Sequence, residues 1–342
     1  MDVKKRLLAA TGFVAVLGMA DMAAAGPTLD TVKNKGVLTC GVSTGVAGFS
    51  LADSQGRYTG LDVDTCTAIA AAVFGDGSKA KFVPLTTQQR FTALQSGEVD
   101  VLTRDTTDTL SRDTQLGLNF APVNYYDGQG FMVRKSLGVK SAKELNGATV
   151  CVQPGTTTEL NLADYFRANK MQFKSVVIEK LEEVESAFFS GRCDVYTTDA
   201  SGLAGTRATK AQNPDDYVIL PELISKEPLA PAVRHGDEEW NDIVRWTVYA
   251  LIEAEERGVT QKNADEMLRS DDPTIKRLLG ATPGMGKALG LDEKWAYNAI
   301  KAVGNYGEIF DRNVGKDSPL KLERGINDLW TRGGLMYAMP VR

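Results

Sequence analysis

Apolar runs and amphipathic stretches alternate along most of the chain. The runs "GVLTCGVSTG" (residues 36–45) and "GATVCVQPGTT" (147–157) each carry a cysteine among β-forming residues and stop at a polar turn, which predicts strands. "GLDVDTCTAIAAAVFG" and "TTELNLADYFRANK" follow them with helical spacing. Strand and helix alternating through short connections predict parallel sheets covered by helices.

A second pattern repeats. "ALQSGEVDVLTRD" (93–105) and "AFFSGRCDVYTTD" (187–199) share Ala, Ser-Gly, Asp-Val, Thr and a final Asp at identical spacing. Each closes an amphipathic helix, marked by Phe91 and Leu94 in one copy and by Val184, Phe188 and Phe189 in the other. Gly97 and Gly191 stand where a helix stops on a left-handed residue. A short strand ending on Asp105 or Asp199 is expected next. The pattern predicts two similar α/β lobes, in which ligands bind beyond the carboxyl ends of the strands. Ser43, Asp105, Thr157 and Asp199 fall at those ends, so facing lobes would gather them in one cleft.

After Val218 the alternation stops. An extended piece leads to a helix expected over 237–256, whose stripe of Trp240, Ile243, Val244, Val248 and Leu251 reads as core. Further helices and polar turns follow. "GATPGMGKALG" resembles a phosphate loop only superficially, lacking the required spacing and a preceding strand, and is expected to be a plain loop.

The first residues change the picture of where the chain works. Lys4, Lys5 and Arg6 precede an apolar run, and Ala23 and Ala25 precede Gly26. This is the layout of a cleaved secretory leader, expected over 1–25, and the run is shorter than the ~20 residues of a membrane span. A periplasmic protein is the expectation. Export makes disulfides available to Cys40, Cys66, Cys151 and Cys193. Four cysteines allow three connectivities, and proximity favours Cys40 with Cys66 and Cys151 with Cys193. One histidine, His235, and no C-x₂-C spacing argue against metal, and no cofactor is expected. A net charge of −5 without a basic block argues against nucleic acid. At 342 residues the chain exceeds the ~250–300 at which single cores stop growing.

Arg112, in "DTTDTLSRD", is the candidate anchor for a carboxylate, because a guanidinium offers two parallel charge-assisted donors. Asp199 across the cleft would suit an ammonium group. Taken singly, Arg112 reads as a surface ion pair and Asp199 as a helix cap. Neither plain reading explains why both aspartates close a repeated unit.

These stretches, together with "LTCGVSTGVAGFS", "TLSRDTQLGLNFAPVNYYDGQGFMV" and "GNYGEIFDRNVG", resemble the periplasmic amino-acid-binding proteins that serve ABC transporters. More narrowly, they resemble the subgroup of the general amino-acid permease. The resemblance implies a two-lobed α/β fold with crossings near 128–133 and 227–233. The implied lobes are 26–130 and 131–228, with 229–342 returning to the first lobe as a helical extension. Among site residues it implies Arg112, Thr107 and Thr157 for the ligand carboxylate, and Asp199 and Asp105 for its ammonium. Ser43 and Phe49 would border the side chain, with Thr109 and Thr156 completing the set. The implied partners are an L-amino acid and the membrane permease subunits. Where the subgroup usually reads Asn-Thr-Thr-Trp, this chain has Asp105-Thr106-Thr107-Asp108, which weighs against acidic ligands. The same fold also serves cyclohexadienyl dehydratases, in which Asp105 or Asp108 could be cast as a general acid. A binder, not an enzyme, is the expectation.

Overall fold

The computed structural model describes residues 28–342, and the expected leader lies outside them. The chain opens with α1 (Thr28–Lys35), β1 (Leu38–Val42), the hairpin β2 (Leu51–Ala52) and β3 (Tyr58–Thr59), and α2 (Leu61–Phe74). It continues through β4 (Ala80–Pro84), α3 (Arg90–Gln95), β5 (Val101–Leu102), α4 (Leu110–Thr114) and β6 (Leu118–Phe120). A crossing strand, β7 (Tyr125–Asp127), leads to β8 (Gln129–Arg134), β9 (Thr149–Val152), α5 (Thr157–Ala168), β10 (Lys174–Val177) and α6 (Leu181–Phe189). Then come β11 (Val195–Asp199), α7 (Ala200–Lys210), β12 (Tyr217–Ile219), a second crossing strand β13 (Glu227–Leu229), β14 (Ala232–Arg234) and α8 (Glu238–Glu256).

Two five-stranded sheets result, ordered β4-β1-β5-β14-β6 and β10-β9-β11-β8-β12. The three strands at one side of each sheet run parallel, with Cys40 registered between Phe82 and Val101. Each sheet is mostly parallel, as expected, with one reversed strand. β14 runs antiparallel to β5 and β6, and β8 antiparallel to β11 and β12. The reason is the path of the chain. β8 and β14 enter their sheets from the crossings, so they run away from the cleft that the parallel strands run toward. The crossings themselves pair, Asp127 opposite Glu227 and Tyr125 opposite Leu229. The first crossing therefore precedes residues 128–133, which belong almost wholly to β8.

The repeated segments fold alike up to their ends. Gly97 and Gly191 both take positive φ, 77° and 83°, after α3 and α6. β5, however, stops at Leu102, whereas β11 continues to Asp199. The disulfides join Cys40 on β1 to Cys66 on α2 and Cys151 on β9 to Cys193 beside β11, with Cα atoms 6.2 and 5.7 Å apart. Each closes a loop worth about 3–4 kcal/mol in the chain-entropy account.

α8 begins one residue after Asp237, whose carboxylate caps the Trp240 N–H at 3.0 Å. Its expected stripe is buried. The chain beyond it adds α9 (Ala264–Met267), α10 (Pro273–Leu278), α11 (Met285–Ala288), α12 (Trp295–Val303) and α13 (Tyr306–Asn313). Ala299, Ile300, Ile309 and Phe310 share a core with Leu61 and Ala68 of α2, so this extension covers the first sheet's helices. In "GATPGMGKALG" a short helix, α11, replaces the expected plain loop. The Glu293 carboxylate occupies its N–H groups, accepting from Gly284, Gly286 and Lys287 at 2.8, 3.1 and 3.3 Å. Further on, Asn327 pairs its amide with both backbone groups of Tyr126, at 2.6 and 2.9 Å, and so braces a crossing strand. No helix among the described residues is long and apolar enough to cross a membrane.

Candidate functional site

A cavity of about 50 Å³ lies between the two sheets' carboxyl ends. Of the expected residues, Ser43, Phe49, Asp105, Thr107, Arg112, Thr156, Thr157 and Asp199 line it, and Thr109 does not. Residues from both halves close over it. Arg90 Nη2 donates to the Gly155 carbonyl at 3.4 Å, and a Cβ on Gly205 of α7 would lie 3.0 Å from the Ala47 carbonyl oxygen.

Arg112 is buried and held from two sides. Its Nη1 donates to the Thr107 carbonyl at 2.7 Å, and its guanidinium lies 5.1 Å from the Phe91 ring centroid. Burial lowers its pKa to about 10, while the charges of Glu227 and Asp199 oppose that shift. Thr109, expected among the ligand contacts, lies outside the cavity lining. It is the N-cap of α4, its hydroxyl accepting the Arg112 N–H at 3.3 Å, so it positions the arginine's backbone instead.

The implied hydroxyl contacts are also revised. Thr107 Oγ1 and Thr157 Oγ1 donate to one oxygen of Glu227, at 2.6 and 2.9 Å. Their protons are therefore spent within the protein. Backbone donors at these lining residues remain unpaired. The Thr107 N–H has no acceptor among the described residues, and Thr157 opens the twelve-residue α5, where first-turn N–H groups lack intrahelical partners. Thr156 caps that helix, accepting from the Glu159 N–H at 3.0 Å. Ser43 is similarly engaged, 2.6 Å from the Ser50 hydroxyl. Phe49 is held edge-on against Tyr125, at 5.2 Å between centroids. Its carbonyl passes Gly60, where φ is 139° and a Cβ would sit 2.0 Å from that oxygen.

The equivalent aspartates differ. Asp105 sits at φ 31°, with its N–H on Asp62 at 2.9 Å and its carboxylate 3.6 Å from Arg104 Nη1. Asp199 occupies the N-cap position of α7, yet its side chain caps nothing. Burial pushes the Asp199 carboxyl well above the usual range, reinforced by Asp127, Glu227 and Asp105 and opposed by Arg90. A cationic ligand group would relieve that cost.

Sequence reasoning missed Arg90, Arg104 and Glu227. Arg90 is buried, its Nε lacks an acceptor, and burial beside Arg104 and Arg112 holds its pKa well below the usual value. It read as the start of an amphipathic helix. Arg104 had a signal, since it takes the place of Thr198 in the repeat and both line the cavity. Asp108, also considered at the sequence level, is exposed and outside the cavity. The cleft thus joins three guanidiniums from the first half to a carboxylate and a helix start from the second. It can hold a small zwitterion at both ends.

A family model for the bacterial extracellular solute-binding proteins, family 3, matches residues 38–268, more than half of the chain. The chain belongs to this family. Among its members, the general L-amino acid-binding periplasmic protein AapJ of Rhizobium johnstonii is 60% identical over 342 residues, covering 99% of this chain and 100% of that one. The glutamate/glutamine/aspartate/asparagine-binding protein BztA of Rhodobacter capsulatus is 58% identical over 332 residues, covering 97% and 98%. A solved ABC transporter periplasmic binding protein of Brucella ovis with glutathione bound matches with TM-score 0.90 and 59% identity, over 92% of this chain and 99% of that one. The two-lobed architecture of these solute-binding proteins is the one described above. Residues 269–342, which carry α10 to α13, lie beyond the family model, so the extension is a feature of the longer members that match along their whole length.

Proposed function

We propose that this solute-binding protein captures L-α-amino acids between its lobes in the periplasm and delivers them to the permease subunits of an ABC transporter. One observation carries the reading: Arg112 and Asp199, from opposite halves, line one cavity, and the Asp199 side chain makes no hydrogen bond or ion pair among the described residues. In it, Arg112 with the Thr107 and Thr157 N–H groups takes the α-carboxylate, and Asp199 takes the α-ammonium. Charged contacts strengthen on closure, because the cleft excludes water. Micromolar capture needs about −8 kcal/mol, within reach of two charge-assisted anchors after ordering costs.

Arg90 widens the ligand range to polar and acidic side chains, since it joins Arg104 and Arg112 in the cavity lining and concentrates positive charge there. The names of AapJ and BztA support this breadth. We divide the chain into lobes at the paired crossings, Tyr125–Asp127 and Glu227–Leu229. The protein acts as a binder rather than a lyase: Asp108 lies outside the cavity, and Asp105 is tied to Arg104. A thermal-shift screen against the twenty L-amino acids tests the reading. Stabilisation by several polar members is the expected result, and no stabilisation by any of them contradicts it.

A further inference from the structure

Glu227 is 1% exposed and lies on the crossing strand β13. Its carboxylate is fully engaged by neutral donors. Oε2 accepts from Thr107 Oγ1 at 2.6 Å and Thr157 Oγ1 at 2.9 Å, and Oε1 accepts from Ser225 Oγ at 2.5 Å and Asn161 Nδ2 at 2.8 Å. Thr107 belongs to the first lobe, whereas Thr157 and Asn161 belong to α5 of the second. The two threonine hydroxyls also lie 3.4 Å apart, across the lobe boundary. A single oxygen cannot keep both partners once the lobes part, whichever lobe β13 follows. Opening would then expose the carboxylate to water, so the arrangement stores hydrogen bonds specific to the closed form.

We propose that Glu227 is an interlobe latch, a positioning residue whose hydrogen bonds favour closure independently of the ligand's side chain. Two consequences follow. The ligand-free protein populates the closed form, because the latch needs no ligand atom. Closure energy supplied by the protein is also common to all ligands, which would let unlike side chains share one cleft. The second consequence rests on the proposed amino-acid capture; the first does not.

The test uses small-angle scattering of the ligand-free protein and calorimetric Kd values for several amino acids. Glu227→Leu removes every acceptor, and Asn161→Ala, outside the cavity lining, removes one second-lobe donor. Both variants should shift scattering toward a more open form. They should weaken all ligands by a common factor, about 10-fold or more for Glu227→Leu and about 3-fold for Asn161→Ala, because apparent affinity scales with the competent population. If Glu227→Leu fails to fold, Asn161→Ala decides alone. Unchanged scattering, or a Kd change that depends on the ligand's side chain, overturns the proposal. Should the wild-type protein bind no amino acid, that failure belongs to the capture reading, and scattering alone decides the latch.

Discussion

Asp105 and Asp199 occupy equivalent places in a repeated segment and have opposite circumstances. Arg104 stands beside Asp105 at 3.6 Å, while the residue at its place in the other copy is Thr198, which gives Asp199 no such partner. The first lobe therefore presents Arg90, Arg104 and Arg112 to the cavity, with the Asp105 carboxylate among them ion-paired to Arg104. The second presents a carboxylate whose ionisation is costly. Repeating a fold has not repeated its chemistry. In the proposed capture, the guanidiniums come from one lobe and the unpaired carboxylate from the other, with the α5 start of the second lobe completing the place of the ligand's carboxylate.

Removing the first lobe's anchor should have the largest effect. Arg112→Ala is expected to weaken amino-acid binding about 100-fold or more, as loss of a desolvated charged contact does, and titration calorimetry reads it. Affinity within a few-fold of wild type would remove Arg112 from the carboxylate site. The second lobe's counterpart sharpens the contrast. Asp199→Asn should cost about 10–30-fold for amino acids and little for their deaminated analogues, whereas Asp105→Asn should cost about 3-fold or less. Equal losses at the two aspartates would erase the difference between the lobes.

Much of this cleft was legible in the sequence. Arg112, Thr157 and Asp199 stood at turns after apolar runs, and the repeat marked two of the relevant strand ends. Glu227 was not legible, because its partners Thr107 and Thr157 lie 120 and 70 residues away and "SKEPLAP" has no periodicity. Thr109 lies outside the cavity lining for a local reason. A threonine three residues ahead of a helical N–H is a cap, and that bond turns its hydroxyl oxygen toward the helix start, outside the cavity lining. The mostly parallel sheets were legible, but the reversal of β8 and β14 was not, because direction depends on where a strand enters, which no run of side chains records. Arg90 and Arg104, which share the cavity with Asp105, were not legible as cavity residues and add positive charge beside it.

Smaller effects test the surroundings. Burial pushes the Asp127 carboxyl up to about 6 from 3.8, against hydrogen bonds from Ser201 and Gly128. The folded protein then holds a proton that the unfolded chain releases. Its stabilising contribution is fully present below pH 3.8 and is lost as pH rises through about 6. In denaturant titrations of the ligand-free protein, the decline across that window should be smaller by about 1–3 kcal/mol in Asp127→Asn than in the wild type, the remainder coming from other raised carboxyls such as Asp199. An identical pH profile in the variant would exclude Asp127 as its source. Thr109→Ala should cost about 1 kcal/mol of stability and change affinity less than Arg112→Ala does. A loss of affinity matching Arg112→Ala would instead put Thr109 on the ligand.

The most direct test compares three ligands sharing one side chain: the L-amino acid, its α-deaminated acid and its decarboxylated amine. Calorimetry at constant pH and salt should give micromolar binding for the amino acid and binding weaker by about 100-fold for each analogue, since each loses one charged anchor. An analogue lacking either group but binding as tightly as the parent would contradict the two-ended clamp.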